Sequence, residues 1–346
     1  MKLKRIWNYG AGALAASLSN KPRLSHVAAY ITHRCNLRCT YCSSPYLKTA
    51  ELSFGQWQKI FSELRSLGCQ RVLLLGGEPL VRNDFDRMID EIKKLGMQCV
   101  LTSNGLLVPR YIHRLTNLDT LVLSLDGIGK VNDFARGEGV FDAVVDAINA
   151  AREINIPVKL NAVMTCESAP GLDDLLEFTE ARDLSLTVNV VRTGNTLWHE
   201  AQTVSQSDIE TRALLNRLAA ISRRNKRLLF SAQSFRFAAA WPDFAEDRLT
   251  ASQLNGEKLR AQPKCHAGKT YLMINPDGAT HPCAITANRI NGGNVVTDGV
   301  KNAWHGLHKH DCVTCSSPCM LEQNYLFSGN PRVLARFARN YLMRFA

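Results

Sequence analysis

From residue 27 to residue 191, short apolar runs alternate with longer stretches in which apolar residues recur every three or four positions. The runs VAAYIT (27–32), RVLLL (71–75), QCVLT (98–102), TLVLSL (120–125), VKLNAVM (158–164) and LTVNVV (186–191) read as strands. The stretches FGQWQKIFSELRSLG, DFDRMIDEIKKLG, PRYIHRLTN, VFDAVVDAINAAREIN and LDDLLEFTEARD read as amphipathic helices, with Gly68 and Gly96 placed to end two of them. Strand and helix units in this alternation predict an α/β fold, a partial (β/α)6 TIM-like barrel. Its functional side chains should lie at the C-terminal ends of the strands.

The pattern changes outside that core. Residues 1–25 form an N-terminal arm in which Trp7, Ala11, Leu14 and Leu18 keep helical spacing; a weak apolar run broken by Asn8, Gly10 and Gly12 argues against a signal peptide. After the core at 26–192, residues 193–264 read as a helical connecting or substrate region. Its basic run at Arg223, Arg224, Lys226 and Arg227 suits a solvated helix face. Residues 265–322, rich in Gly, Pro, Asn and Cys, suit a small metal-stapled module. In residues 323–346, Val333, Phe337, Tyr341 and Phe345 share one helical face beside Arg332, Arg336 and Arg339. That face can pack on the barrel or lie on an anionic membrane surface.

The 346 residues are 45% hydrophobic, enough for a sizeable core, and carry a formal charge of +11. That charge favours anionic partners without choosing among them. The basic residues are dispersed and lack interleaved aromatics, so nucleic acid is not an expected partner. No run approaches the ~20 apolar residues of a membrane span, and a cytoplasmic protein, open to peripheral membrane contact, is expected. The 11 cysteines change the picture. Most fall into two groups, Cys35, Cys39 and Cys42, then Cys265, Cys283, Cys312, Cys315 and Cys319. This grouping indicates metal ligation in a reducing compartment. Cys69 and Cys99 at strand starts read as packed thiols, and Cys166, beyond the fifth strand, is a candidate for the pocket.

The first group, CNLRCTYC, follows the first strand directly. Three soft thiolates supplied to a four-iron cluster leave one iron open; a zinc site completed by His33 or a remote residue is the alternative. With Tyr41 before the last cysteine, this stretch resembles the signature of the radical S-adenosylmethionine (radical SAM) superfamily. GGEPL at 76–80, TSNG at 102–105 and LSLDG at 123–127, each after a successive strand, resemble further family motifs. The resemblance covers roughly residues 27–192 and implies a 4Fe-4S cluster on Cys35, Cys39 and Cys42, with S-adenosylmethionine on its open iron. One electron would then cleave the cofactor to a 5′-deoxyadenosyl radical, while the protein positions it and excludes water. It further implies cofactor contacts from Tyr41, Gly76, Gly77, Glu78, Pro79, Ser103 and Asn104, with Glu78 facing the methionyl ammonium. Ser124, Asp126, Asn161 and Arg192 are weaker candidates, since strand-end residues also cap turns or form surface ion pairs.

In the second group, CHAGKTYLMINPDGATHPC is similar to the opening of the SPASM and twitch extensions of this superfamily. Residues 275–278 form a turn signal between two apolar runs, TYLMI and THPCAI, so a hairpin should present Cys265 and Cys283. The resemblance implies one auxiliary 4Fe-4S cluster on Cys265, Cys283, Cys312 and Cys315, with Cys319 a substitute. A second auxiliary cluster is not expected, because the full extension uses more cysteines; a structural zinc site is the alternative. The nearby His266, His281, His305, His308 and His310 can ligate metal or hydrogen-bond cluster sulfurs, but histidines grouped in a loop are more often solvated, which is the expectation here.

These readings converge on an enzyme that abstracts a hydrogen atom for oxidation or bond formation on a peptide or small metabolite, reduced by an external donor such as flavodoxin or ferredoxin. A lipid or isoprenoid substrate is the second enzyme reading. An iron-sulfur electron carrier or a zinc-binding module does not account for motifs at four successive strand ends.

Overall fold

The computed structural model describes residues 22–191, 207–254, 262–287 and 289–342. The helix expected over residues 7–18, Arg192 and Phe345 lie outside the described residues, as does the Tyr341 side chain.

The core strands are β1 (His26–Thr32), β2 (Arg71–Gly76), β3 (Gln98–Ser103), β4 (Thr120–Ser124), β5 (Val158–Met164) and β6 (Ser185–Val190). Between them run α1 (Phe54–Ser66), α2 (Phe85–Lys94), α3 (Lys130–Arg136), α4 (Val140–Glu153) and α5 (Leu172–Ala181), with a single helical turn at Val108–Tyr111. Neighbouring strands pair in parallel in the order β6-β5-β4-β3-β2-β1. This is the partial TIM-like barrel that the alternation predicts.

Four of the helices end in one recurrent way. Gly68, Gly96, Asn155 and Asp183 take positive φ just past α1, α2, α4 and α5. The following N–H then reaches back to a carbonyl in the last turns of the helix, as in Cys69 to Leu64 and Met97 to Ile92. Glycine adopts this conformation freely, and Asn and Asp tolerate it. Each turn delivers the chain straight into the next strand.

Side chains alternate along the strands. Val27, Ala29, Ile31, Val72, Leu74, Leu121, Leu123, Leu160 and Ala162 are buried with Trp57, Phe61, Phe85 and Ile89 of the helices. Their neighbours, among them Tyr30, Leu75, Thr102, Ser124, Asn161 and Asn189, are half-buried on the other, concave face. Cys69 and Cys99 are packed thiols in the buried layer, while Cys166 is half-exposed.

The remaining elements are α6 (Asp208–Arg224), α7 (Ala232–Ala239), β7 (Arg248–Thr250), β8 (Tyr271–Ile274), β9 (Thr280–His281), α8 (Gly299–Gly306), β10 (Cys312–Cys315), α9 (Pro318–Phe327) and α10 (Pro331–Leu342). The expected hairpin is present, but its first strand, β8, also pairs in parallel with β1. The cysteine-rich module therefore extends the barrel sheet. Pro282 follows β9, and the chain then turns into a 3-10 segment at Ala284–Thr286 instead of continuing as strand. The segment before residue 265 is not purely helical, since β7 pairs antiparallel with β10.

Helix α10 packs inward. Val333 is buried, and Arg336 donates to the carbonyls of Ser222 (2.9 Å), Leu229 (3.1 Å) and Leu228 around the end of α6. Arg336 thus neutralises free carbonyls at a helix C-terminus. No described helix is long and apolar enough to cross a membrane.

Candidate radical SAM site

Cys35, Cys39 and Cys42 leave the C-terminal end of β1 on one loop. From residue 34 to 40, side chains alternate: Arg34, Asn36, Arg38 and Thr40 are exposed, while Cys35, Leu37 and Cys39 are half-buried. The Cys35 sulfur lies 3.4 Å from the Leu37 N–H and 3.8 Å from Asn104 Nδ2. Burial pushes all three thiols up, Cys39 to about 12, while the Arg136 cation pulls Cys39 and Cys42 back down. Donors and a buried cation directed at sulfur favour the thiolate, the form that ligates iron.

The loop after β2 is zipped onto this cysteine loop. Gly77 N–H donates to Thr32 O and Glu78 N–H to Arg34 O, both at 2.9 Å. A Cβ on Gly76 would sit 2.2 Å from Thr32 O, and one on Gly77 2.4 Å from Arg34 O. These glycines thus admit the backbone of the cysteine loop. Pro79 is buried in the first turn of the short 3-10 segment that follows.

Glu78 lies at the centre of a hydrogen-bond network. Its carboxylate is wholly buried and accepts from Ser103 Oγ (3.0 and 3.1 Å), Asn104 N–H (2.7 Å) and Leu80 N–H (3.0 Å). Burial raises its pKa to about 7 against the pull of these donors. Glu78 and Ser103 thus tie the end of β2 to the end of β3. Asn104 is held by the same carboxylate and reaches Asn36 Oδ1 at 2.8 Å beside Cys35.

Asp126 is committed within the protein as well. It is fully buried and accepts from Tyr41 Oη (2.6 Å), Arg136 Nη2 (2.9 Å) and the Val163 N–H (2.7 Å). Arg136 Nε lies 2.7 Å from its other oxygen, poorly aligned for a hydrogen bond. Asp126 and Tyr41 thus anchor the cysteine loop.

Ser124 and Asn161 pair across β4 and β5 on the concave face. Asn161 Oδ1 accepts from Thr187 Oγ1 (2.9 Å) and Asn189 Nδ2 (3.2 Å), which leaves its amide N–H groups for the lumen. Tyr30 shares that face. Burial pushes its phenol up to about 12, with the charges of Cys42 on one side and Cys319 and Cys283 on the other adding to the effect.

The second thiol group gathers where β8, β10 and α9 meet the barrel. Cys265 is held below the usual thiol range by a hydrogen bond from Cys312, which is itself raised. Cys283 and Cys315 lie close enough to act on Cys312 by charge, and burial raises Cys283 and Cys319 to about 11. Asn324, buried between, accepts from His266 N–H (2.9 Å) and Tyr271 Oη (3.1 Å) and hydrogen-bonds the Cys265 sulfur. Gln323 Nε2 reaches Cys319 at 3.8 Å. His266 and His281 are buried rather than solvated, bonded to Ser328 Oγ (3.1 Å) and Ile290 O (2.7 Å) respectively.

Among the described residues, no three Cys, His, Asp or Glu side chains are gathered as a ready site for a metal ion. A cubane spreads its thiolates around four irons, so the donor set is the relevant test. Soft sulfurs in a group of three and a group of five, each met by side-chain amide donors, fit iron-sulfur clusters.

The radical SAM superfamily pattern matches residues 29–179, and that of SPASM, an iron-sulfur cluster-binding domain, matches residues 265–324. The chain belongs to the radical SAM superfamily. It is similar to the mycofactocin maturase MftC of Mycobacterium ulcerans, 29% identical over 280 residues, 78% of this chain and 71% of that one. The Mycobacterium tuberculosis MftC is 28% identical over 286 residues, 79% of this chain and 68% of that one. The fold is like that of Streptococcus suis SuiB bound to S-adenosylmethionine, with TM-score 0.64 and 19% identity over 82% of this chain and 66% of that one. It is also like anSMEcpe with bound AdoMet and Cp18Cys peptide, with TM-score 0.62 and 14% identity over 92% of this chain and 99% of that one.

As a radical SAM enzyme with a SPASM domain, the chain uses 4Fe-4S clusters and S-adenosylmethionine. Several residues around its thiols have no signal in the sequence reading. Arg136 stands in an ordinary amphipathic helix, and Asn324 and Gln323 in a helix whose polar positions look like a solvent face.

Proposed function

We propose that this radical SAM enzyme modifies a peptide by abstracting a hydrogen atom, leading to oxidation or bond formation. The supporting observation is the similarity, over nearly four fifths of the chain, to proteins named mycofactocin maturase. Folds of the same kind are also known with a precursor peptide or a cysteine peptide bound. Cys35, Cys39 and Cys42 hold the cluster that binds S-adenosylmethionine. Cys265, Cys283, Cys312 and Cys315 hold one auxiliary cluster, a choice favoured by the mutual influence of these four thiols.

When bound, the cluster and cofactor supply a carbon radical able to take hydrogen from an unactivated position. The chain does the rest. Ser124 and the Asn161 amide orient the polar part of the cofactor, and the Glu78–Ser103–Asn104 network keeps the loops against the cysteine loop. The concave face excludes water and stray hydrogen donors.

The test is anaerobic reconstitution with iron, sulfide, S-adenosylmethionine and dithionite, with short peptides encoded beside this gene as candidate substrates. The expected result is 5′-deoxyadenosine together with a mass change in one peptide. Cofactor cleavage without any peptide product, but with a modified small metabolite, would reject the peptide reading.

A further inference from the structure

The end of the barrel away from the cysteine loop holds a cleft of its own. Strand β1 runs seven residues, about 20 Å, from His26 toward the cysteine loop. Pro22, just before that strand, lines an open cleft of about 440 Å³ together with Trp304, His305, His308 and Lys309. Trp304 and His305 lie in the last turn of α8, and His308 and Lys309 follow in the 3-10 turn Leu307–Lys309. The three rings stand in mutual contact, Trp304 with His305 at 5.5 Å, Trp304 with His308 at 5.0 Å and His305 with His308 at 5.2 Å between centroids. Trp304 is only 6% exposed, yet its indole N–H is buried without an acceptor, and His308 Nε2 is likewise buried without a partner.

Histidine and lysine at a helix C-terminus have an ordinary use in offsetting the helix dipole. That use does not account for the Trp304 N–H, because indole is a donor only and calls for an acceptor. The charges around the cleft are of one sign. Burial, and then the charges of His305, Lys269 and His310, lower the pKa of His308, and Lys309 stands on the exposed rim. Glu63, an acid of α1 that touches α8, accepts the Val300 N–H (2.9 Å) at the opposite end of that helix. Imidazoles also bind transition metals, but among the described residues no three ligating side chains gather for an ion, and the neighbouring lysines repel a cation. We propose that this cleft binds a small organic anion, a flat apolar body carrying a phosphate or carboxylate. The wall of rings suits the flat body, while the indole N–H, the imidazoles and Lys309 suit the oxyanion. A cleft of this size with a few convergent polar groups is the usual form of a small-molecule site. Because it lies at the opposite end of β1 from Cys35, it can be filled while S-adenosylmethionine is bound.

The test titrates the reconstituted full chain, with S-adenosylmethionine bound, by calorimetry with phenyl phosphate in one arm and benzoate in the other. One-site binding is expected in at least one arm, and the tighter arm tells phosphate from carboxylate. Trp304→Phe keeps a ring and removes the N–H, and His308→Phe keeps a ring and removes both nitrogens. Each should weaken binding about tenfold, the worth of a hydrogen bond to a charged group. Arg332→Gln removes a positive charge on α10 and should leave the affinity within about twofold. Iron content equal to the parent's shows that a variant has folded. If a ring variant loses iron, the exposed Lys309→Gln decides instead, with about a threefold loss expected and no loss overturning the site. No saturable binding of either probe would overturn it, as would a Trp304→Phe or His308→Phe variant that keeps its iron and binds as tightly as the parent. A loss in Arg332→Gln equal to theirs would reduce the binding to general attraction by a chain at +11, and overturn the site too.

Discussion

The Tyr41 hydroxyl donates to the buried carboxylate of Asp126 across 2.6 Å, linking the cysteine loop to the end of β4. The same carboxylate holds Arg136 and the Val163 N–H, so one acid joins the loop, α3 and β5. Asp126→Ala leaves the Arg136 cation buried without its counter-ion, which typically costs about 3–5 kcal/mol. Tyr41→Phe removes one hydrogen bond to a charged acceptor, about 1.5–3 kcal/mol. Anaerobic denaturant titration should rank Asp126→Ala below Tyr41→Phe, and iron retention in the first cluster should fall in the same order. Equal stability of the two variants would show that Arg136 is neutralised by another group.

His26 gives a prediction in pH. It stacks on Tyr271 at 5.1 Å between ring centroids and bonds Gln323 Oε1 at 3.0 Å, at the seam where β1 meets the SPASM module. Burial, with Arg71 adding to it, lowers its pKa from 6.5 to about 3. The unfolded chain therefore binds a proton below pH 6.5 that the folded chain refuses. This contribution to stability is complete above pH 6.5 and is lost as pH falls toward 3. By pH 5 the loss is about 2 kcal/mol. His26→Gln cannot take up that proton, so the stability gap between parent and variant should narrow by about that amount between pH 7.5 and pH 5. Chemical denaturation at the two pH values measures it, and a constant gap would refute the assignment.

The six core strands are legible in the sequence to within a residue or two because each is a short apolar run closed by a turn signal. What the pattern could not show is partnership at a distance. The run containing Tyr271 predicts a hairpin, but its parallel pairing with β1 spans most of the chain and leaves no local trace. The cysteines are legible because thiol spacing is itself a chemical pattern. The contacts that Glu78, Asp126 and Gly77 make within the protein are not, since nothing in a motif names the serine, arginine or backbone carbonyl at the other end.

The auxiliary cluster makes a sharper count. Cys312 faces Cys265, whereas Cys319 is approached by Gln323 and lies toward Tyr30. With one auxiliary cluster on Cys265, Cys283, Cys312 and Cys315, the reconstituted parent holds about eight irons. Cys312→Ser should then lose about four of them and Cys319→Ser almost none. Iron and sulfide assay with Mössbauer spectroscopy reads both. The reverse result would move the fourth ligand to Cys319.

Tyr30 stands between the two thiol groups, and the loss of its hydroxyl should be felt by the substrate alone. It is half-buried on the concave face of β1, near Cys42 on one side and Cys283 and Cys319 on the other. Among the described residues its hydroxyl makes no hydrogen bond, although the side chain is packed against the small cluster of Met273 and Ala287. A phenol held in place by its ring, with its polar end free, is suited to positioning a bound peptide between the clusters. Tyr30→Phe keeps the packing and removes only the hydroxyl. Iron content and cofactor cleavage without peptide should therefore stay within about twofold, while product formation falls by about tenfold or more, the usual worth of a positioning contact. The ratio of 5′-deoxyadenosine to modified peptide should rise accordingly, because hydrogen is then taken from elsewhere. A variant that loses cleavage and product together would make Tyr30 a support of the cysteine loop instead.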